Sequence, residues 1–321
     1  MRRTLPLAFT AALALTACAP APQGDPTAYG DVLPDERLLI NLPSEAGGER
    51  RDGELSEGWR FTAQATRDVN GLIGAVLGSV SFLVTTYPPT WHNAETQTAV
   101  WGPWSDALEP FETVLLVHRE ADESHSWSIA RRPRGEASWD AFTAIVVGQV
   151  EPGATATVSQ GWFYLDFDAA AQLDPLATAR GRFATTYDLR EDGVSANAGF
   201  EDFSDQGEEI PEAWYAYEQA HGGGGAMDLA WYADVNPESG TGNLEGHVVR
   251  SRWLADGAGR ADMVVGGGDL EALGVVGLAS DCWGTDFRRD YYANNWDASE
   301  TEGEEASCVF AEALWPEDDA S

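Results

Sequence analysis

The apolar positions between residues 68 and 87 recur at the spacing of an α-helix, about 3.6 residues per turn. This pattern predicts one amphipathic helix over about residues 68–87, with its apolar face packed against the rest of the protein. The stretch from Val69 to Val84 has no charged residue, but it is shorter than the roughly 20 residues that cross a bilayer. Pro88 and Pro89 end it, and residues 57–68 before it are predicted as a strand. The recurring positions are Val69, Leu72, Ile73, Val76, Leu77, Val80, Leu83 and Val84.

From residue 111 onward, short segments rich in β-branched and aromatic residues alternate with turn signals such as READES, EDG, GGGG and DGAG. Segments of this kind are typical of antiparallel strands joined by hairpins. One helical turn is predicted among them, over residues 168–175. We therefore predict a mainly β fold, a strongly curved antiparallel sheet or barrel of about ten to twelve strands with the helix packed on it.

The first 18 residues have the organisation of an export signal. Two arginines precede an apolar run from Leu5 to Leu15, which is too short to span a bilayer. The run closes on Leu15-Thr16-Ala17-Cys18, which resembles the lipobox of bacterial lipoproteins. The resemblance implies cleavage before Cys18 and acylation of that cysteine. Since Ala19 rather than an aspartate follows, the resemblance also implies the outer membrane, facing the periplasm or the cell surface.

This signal sets the predicted domain organisation. Residues 1–17 are a signal peptide, and residues 18–36 are a lipidated tether whose prolines favour an extended chain. Residues 37–321 form a single β-rich domain, with a division into two subdomains near 170–180 as the alternative. The membrane is then a partner through the lipid anchor on Cys18.

The two remaining cysteines are predicted to form a disulfide bond. The chain has three cysteines, and lipidation of Cys18 leaves Cys282 and Cys308 as one pair. Disulfides persist in oxidising compartments outside the cytoplasm, which is where the signal directs the chain.

Composition excludes several classes of function. Acidic residues outnumber basic ones by 53 to 19, for a formal net charge of −34. A body this acidic repels phosphate groups, which excludes DNA or RNA as a partner. All 19 basic residues are arginine, and the absence of lysine excludes Schiff-base chemistry and the lysine of P-loop proteins.

A candidate metal site lies in the hairpin of residues 114–129. If residues 121–122 form its turn, His118 faces His125 and Glu120 faces Glu123, with all four on one face. Two imidazoles and two carboxylates can hold zinc or another divalent transition metal. The alternative is a polar rim at the end of a buried face. A three-residue loop would shift the register and separate the set.

A second candidate imitates a calcium-binding loop. Asp234, Asn236, Glu238 and Glu245 fall at positions 1, 3, 5 and 12 of such a loop. Position 6, however, is Ser239, where the calcium loop needs glycine. A plain hairpin loop is the alternative.

No catalytic signature accompanies these features. Neither Gly-x-Ser-x-Gly nor His-Glu-x-x-His occurs. We therefore expect a non-catalytic envelope lipoprotein with a role in binding or assembly and without a resident cofactor.

One alternative is a carrier of an apolar ligand such as a lipid, in a cavity between helix and sheet. The order of helix and strands in this chain resembles, in outline, that of the periplasmic lipid-carrier lipoproteins of the LolA and LppX kind. The other is a carbohydrate-binding or carbohydrate-cleaving module, because tryptophans stack on sugars and this chain has 13.

Overall fold

The computed structural model describes residues 29, 33, 53–155, 158–235 and 241–315. Cys18, the signal peptide and all of the predicted tether except residues 29 and 33 lie outside the described residues. Within the described residues the chain forms one sheet and one long helix.

Fifteen strands form one antiparallel sheet in which every strand pairs with its neighbours in the sequence. The predicted mainly β fold is confirmed, but the predicted ten to twelve strands are too few, because the strands begin earlier than residue 111 and number fifteen in the described residues. The sheet is the framework on which every other element packs. The strands are β1 (Trp91–Asn93), β2 (Thr98–Trp104), β3 (Phe111–Arg119), β4 (His125–Pro133), β5 (Thr143–Val150), β6 (Ser159–Asp166), β7 (Arg180–Leu189), β8 (Gly193–Asp205), β9 (Glu208–Ala220), β10 (Gly225–Ala233), β11 (Glu245–Trp253), β12 (Gly259–Gly267), β13 (Gly277–Trp283), β14 (Arg289–Asn294) and β15 (Glu302–Gly303).

A single long helix, α1 (Glu57–Thr86), precedes the sheet. Its first turn is capped by Ser56, whose hydroxyl accepts from the Trp59 N–H at 2.9 Å. The strand predicted over residues 57–68 is wrong, because α1 includes it. The buried face of that half carries polar residues: the Thr62 hydroxyl bonds Ser251 Oγ at 2.6 Å, and Thr66 reaches the Tyr215 hydroxyl at 3.4 Å. These threonines continue the helical period without apolar side chains, so the hydrophobic pattern does not reveal them.

The helix α1 crosses the sheet from β13 to β2. At its start the Gly58 N–H donates to Asp281 Oδ2 in β13 at 3.0 Å. At its end the Trp101 indole in β2 donates to the Tyr87 carbonyl at 2.9 Å. Thirty residues make a helix of about 45 Å, and eleven strand-to-strand steps make a sheet width of about 53 Å. The helix therefore bridges nearly the full width between these strands.

This bridging explains why the sheet is not a barrel. A barrel needs its first and last strands to pair, whereas β1 and β15 are the two edges of the described sheet. The predicted strong curvature or closure is therefore wrong. The helix α1, close in length to the sheet width between β13 and β2, contacts both of these strands and keeps them apart.

Below α1 lies one continuous core. Leu77 and Val80 of α1 are almost fully buried, together with inward side chains from β2 to β13. We call the face covered by α1 the inner face and the opposite one the outer face. By length and composition alone, Glu57–Val84 is able to cross a membrane, a test that core helices of soluble proteins also pass; 33% of its most apolar window is buried.

Two short helices complete the inner side. The helical turn predicted at 168–175 is confirmed as α2 (Phe167–Leu173), which is capped by the Asp166 carboxylate at 2.8 Å from the Ala169 N–H. The helix α3 (Gly268–Leu273) follows β12. The strands before and after α2, β6 and β7, pair with each other, so the sheet is not divided where the chain passes through residues 170–180.

The outer face of β12 and β13 is covered by residues 304–315, here called the C-terminal strap. The predicted disulfide is confirmed: Cys282 of β13 is bonded to Cys308 of the strap, with Cα atoms 5.6 Å apart. Beneath the strap Arg260 is fully buried, and its guanidinium donates to Asp262 Oδ1 at 2.8 Å and to the Phe310 carbonyl at 3.1 Å. The strap is thus joined to the sheet by one covalent bond and by hydrogen bonds to the buried Arg260–Asp262 ion pair of β12.

Candidate ligand-binding pocket

A cavity of about 310 Å³ opens at one end of the strands, where three hairpin turns meet. These turns join β1 to β2, β3 to β4 and β5 to β6. The Arg119 N–H donates to the Gln97 carbonyl at 2.9 Å, which ties the first turn to the end of β3. The cavity is lined by Tyr29, Gln97, Arg119, Glu123, His125, Glu151, Gly153 and Ala154.

The register of the β3–β4 hairpin decides which side chains reach this pocket. Arg119 pairs with His125, so the predicted pairing of His118 with His125 is wrong by one residue. The loop has three residues, closed by the Glu120 N–H donating to the Ser124 carbonyl at 2.8 Å. Glu123 occupies the left-handed region at φ 72°, as the last residue of a three-residue hairpin loop commonly does. The extra residue places His118 on the outer face and His125 on the inner face.

The four predicted metal ligands are therefore divided into two pairs. On the outer face His118 Nε2 lies 3.5 Å from Glu120 Oε2, and the other Glu120 oxygen accepts from the Ser126 hydroxyl at 2.8 Å. His125 and Glu123 line the pocket instead. Among the described residues, no group of three or more His, Cys, Asp or Glu side chains is placed to hold a metal ion.

The pocket carries charges of both signs. The Arg119 guanidinium lies 3.0 Å from Glu123 Oε1, and Glu151 brings a second carboxylate. Burial, followed by the nearby Arg119 charge, lowers the pKa of His125, so this imidazole is neutral at pH 7 and can both donate and accept. These groups suit a small polar ligand that itself has donors and acceptors.

Tyr29 closes the pocket from the N-terminal side. Its hydroxyl bonds His92 Nε2 at 2.8 Å, and its ring meets the Trp101 ring edge-on at 6.1 Å. Burial raises the pKa of Tyr29, so its phenol stays protonated at neutral pH. Tyr29 therefore fixes the N-terminal segment against β2 at this one position.

The sequence did not indicate this pocket, except for His125 and Glu123. Tyr29, Arg119 and Glu151 are far apart along the chain, and the hairpin register alone brings them together. Arg119 next to the loop of a predicted hairpin was the one available signal, because a residue beside a turn lies at the end of the sheet.

Glu245 of the predicted calcium loop has a structural role. It is fully buried, and its two carboxylate oxygens accept the N–H groups of Val235 at 2.9 Å and Asp269 at 2.7 Å. These bonds lower the pKa of Glu245. Its carboxylate joins the segment after β10 to the start of α3. Asp234 directly follows β10, whereas Asn236 and Glu238 lie outside the described residues.

A second apolar feature borders one flank of α1. Phe61 stacks on Trp231 of β10 at 5.4 Å, and both are half-buried. On β8 the rings of Phe200 and Phe203 lie 5.3 Å apart on the inner face. They share a face because the register of β7 and β8 shifts at Asp202, where φ is 49°. Phe61 and Trp231 therefore form a half-buried apolar pair at α1, whereas Phe203 packs against Phe167 of α2 at 5.2 Å.

The tryptophans do not form a platform of neighbouring exposed rings. The most exposed, Trp139, Trp214 and Trp296, lie in the β4–β5 connection, in β9 and after β14. Trp139 contacts Phe142, and no ring contact found in the described part of the chain joins two of these three. Most other tryptophans are buried or half-buried.

Comparison of the chain with protein-family models, with curated proteins and with solved structures finds no match.

Proposed function

We propose that this chain is a non-catalytic, membrane-anchored binding protein outside the cytoplasm. In this proposal an acylated Cys18 tethers the body to the outer membrane, facing the periplasm or the cell surface. The body binds a small polar ligand in the pocket of Tyr29, Arg119 and His125. The observation that carries the proposal is the convergence of a guanidinium, two carboxylates and a buried neutral imidazole on one cavity of about 310 Å³.

The disulfide supports the location. Cys282 and Cys308 are bonded, and such structural bonds are rare in the reducing cytoplasm. The lipobox-like residues Leu15 to Cys18 provide the signal for export and acylation. Both features agree with a body that folds outside the inner membrane.

The residues of the pocket support binding rather than catalysis. Among the described side chains that line it there is no serine, cysteine or threonine for the neutral His125 to activate as a nucleophile, and the Tyr29 hydroxyl is bonded to His92. A volume near 300 Å³ is at the small end of ligand pockets. Groups of both charges favour a small zwitterion, a molecule with an ammonium and a carboxylate such as a free amino acid. The carboxylate would face Arg119, and the ammonium would face Glu123 and Glu151.

Calorimetry on the mature lipidated protein in detergent tests the ligand class. We expect saturable binding of at least one L-amino acid from a full panel, and loss of that binding in Arg119→Gln. The matched control is Arg182→Gln, which removes an exposed arginine paired with Glu201 on the outer face. The ligand class is wrong if the whole panel fails to bind, or if both variants bind as well as the natural protein.

Labelling with palmitate tests the anchor. We expect the label to enter the natural protein and to be absent from Cys18→Ser, with the natural protein in the outer-membrane fraction. Entry of label into Cys18→Ser, or none into the natural protein, would contradict acylation at this residue.

A carrier of an apolar ligand is the second candidate. The half-buried rings of Phe61 and Trp231 at α1, and of Phe200 and Phe203 near α2, favour it, since they offer an apolar margin next to the core. No residue of α1 lines the cavity described above, so the lipid would have to lie along this margin. Mass spectrometry of the purified Cys18→Ser protein would then find about one lipid per chain, and that lipid would be lost in Trp231→Asp.

A further inference from the structure

The two halves of α1 differ in what they expose. In the first half the outward positions include Arg60, Gln64 and Arg67, which are polar or charged. The second half exposes no charged residue, since no Asp, Glu or Arg occurs from Val69 to Ala94. In a chain with 22% charged residues this is an unusual interruption. The exposed positions of the second half include Gly71, Ala75, Gly78, Ser79, Phe82 and Thr86.

The end of this uncharged half exposes two aromatic rings. Phe82 is 57% exposed and Tyr87 is 53% exposed. The rings meet edge-on at 5.9 Å, so they form one apolar patch rather than two isolated side chains. A tyrosine beside an apolar ring is typical of side chains placed at a membrane–water interface.

Tyr29 lies at the same corner of the molecule. The Tyr87 carbonyl accepts from the Trp101 indole at 2.9 Å, and the ring of Trp101 contacts the ring of Tyr29. Tyr29 follows Cys18 by eleven residues, which span at most about 40 Å when fully extended. A lipid on Cys18 would therefore hold Tyr29 within about 40 Å of the membrane surface, which allows Phe82 and Tyr87 to reach it.

The net negative charge of the body limits which part of its surface can approach the membrane. With a formal net charge of −34, most of the surface is repelled by anionic headgroups. The second half of α1 has no charge to repel or to desolvate. A partly buried apolar helix can rest at the boundary between headgroups and acyl chains.

We propose that Phe82, Tyr87 and the exposed positions of α1 from Gly71 to Ser79 form a membrane-contact surface that rests on a lipid bilayer of low surface charge. The inference rests on the proposed acylation of Cys18, which brings the corner to the bilayer. The surface orients the body so that the pocket of Tyr29 and Arg119 opens near the membrane.

Fluorescence quenching by lipid tests this surface in the mature acylated protein. Phe82→Cys and Tyr87→Cys each introduce one thiol for an environment-sensitive label, since Cys282 and Cys308 are bonded to each other. The matched controls are Leu108→Cys and Leu176→Cys, at apolar residues 99% and 87% exposed elsewhere on the body. Each labelled protein is placed in phosphatidylcholine vesicles that contain spin-labelled lipid, and near-ultraviolet circular dichroism checks its fold.

We expect blue-shifted emission and loss of most of the fluorescence at positions 82 and 87, with neither change at 108 and 176. Vesicles rich in phosphatidylglycerol should quench positions 82 and 87 less at low salt, because the acidic body is repelled. Equal quenching at all four positions, or none, in a protein whose mass shows acylation would overturn the contact surface and leave the anchor intact. A mature protein without acyl chains would overturn the anchor instead. Sedimentation as a dimer, with position 82 shielded before lipid is added, would assign the surface to a second copy of the chain.

Discussion

The helix α1 and the C-terminal strap cover opposite faces of the same sheet by different physical means. The helix covers the inner face with apolar side chains such as Leu77 and Val80, which are almost fully buried. The strap covers the outer face of β12 and β13 without a fully buried side chain, and its apolar residues Phe310, Leu314 and Trp315 are only half-buried. It relies on the disulfide from Cys308 and on the buried charge of Arg260.

The comparison shows where each cover obtains its stability. Apolar burial by a long helix is favourable at every turn and needs no covalent bond. Burial of an ion pair costs desolvation free energy that the attraction between the charges offsets only in good geometry. The Leu314 N–H also donates to Asp262 Oδ2 at 3.0 Å, and the Ser280 hydroxyl donates to Asp262 Oδ1. The strap is thus a polar cover that tolerates the loss of a single partner poorly.

Removal of the buried guanidinium is expected to have the largest effect. In Arg260→Ala the buried Asp262 loses its closest cation and keeps only Arg252, at 3.8 Å, so the free energy of unfolding should fall by about 3–5 kcal/mol. Urea denaturation measures this loss. The matched control is Arg182→Ala, at an exposed ion pair, which should cost less than about 1 kcal/mol. The double variant Arg260→Met with Asp262→Leu should recover much of the loss. If it is less stable than Arg260→Ala, the ion pair is not the reason for the sensitivity.

Removal of the disulfide should separate the two covers. The two bonded cysteines are 26 residues apart in the sequence. The double variant Cys282→Ala with Cys308→Ala should therefore lower the free energy of unfolding by about 3.5 kcal/mol. Hydrogen exchange measures where the protection is lost. We expect faster exchange at the Leu314 amide and unchanged exchange in the middle of α1. Equal loss of protection at both places would contradict independent covers.

Truncation of a buried apolar side chain on the inner face should lower the free energy of unfolding slightly less than removal of the disulfide. Leu77→Ala removes buried volume under α1 and should lower the free energy of unfolding by about 3 kcal/mol, within the usual range for buried leucines. Leu108→Ala, at a leucine 99% exposed, is the control and should change it by less than about 0.5 kcal/mol. Similar values for the two variants would mean that α1 does not depend on close packing for its stability.

The two covers also differ in how far the sequence predicts them. The second half of α1 was predicted because its apolar residues repeat without interruption, whereas Thr62 and Thr66 hid the first half. The disulfide between Cys282 and Cys308 followed from counting cysteines once Cys18 is assigned to the lipid. No feature of the sequence around Arg260 indicates that this side chain is buried, since an arginine in a strand is usually solvent-exposed.

The pocket and the sheet edges show a second limit. Hairpins of two and three residues have nearly the same composition, so the register that sends His125 inward and His118 outward is not readable from the sequence. Closure of the sheet depends on how the length of α1 compares with the sheet width, and no local pattern reports that comparison. Strand existence is therefore predicted better than register, and register decides the site.

Acidification should produce the smallest effect and should act on the inner face. Burial lowers the pKa of His247, which stacks on Trp231 at 4.8 Å, and that of His125. Each folded-state pKa then lies below the value of about 6.5 in the unfolded chain. As the pH falls below about 6.5 the unfolded state binds more protons than the folded state, so stability decreases until the lowered pKa is passed. In His247→Phe the ring stack remains without the titration, so urea denaturation between pH 8 and pH 5 should show a shallower loss than in the natural protein. Near pH 8 the free energy of unfolding should depend on pH in the same way in both proteins. If it also falls equally steeply in both proteins down to pH 5, His247 does not cause the acid sensitivity of the inner face.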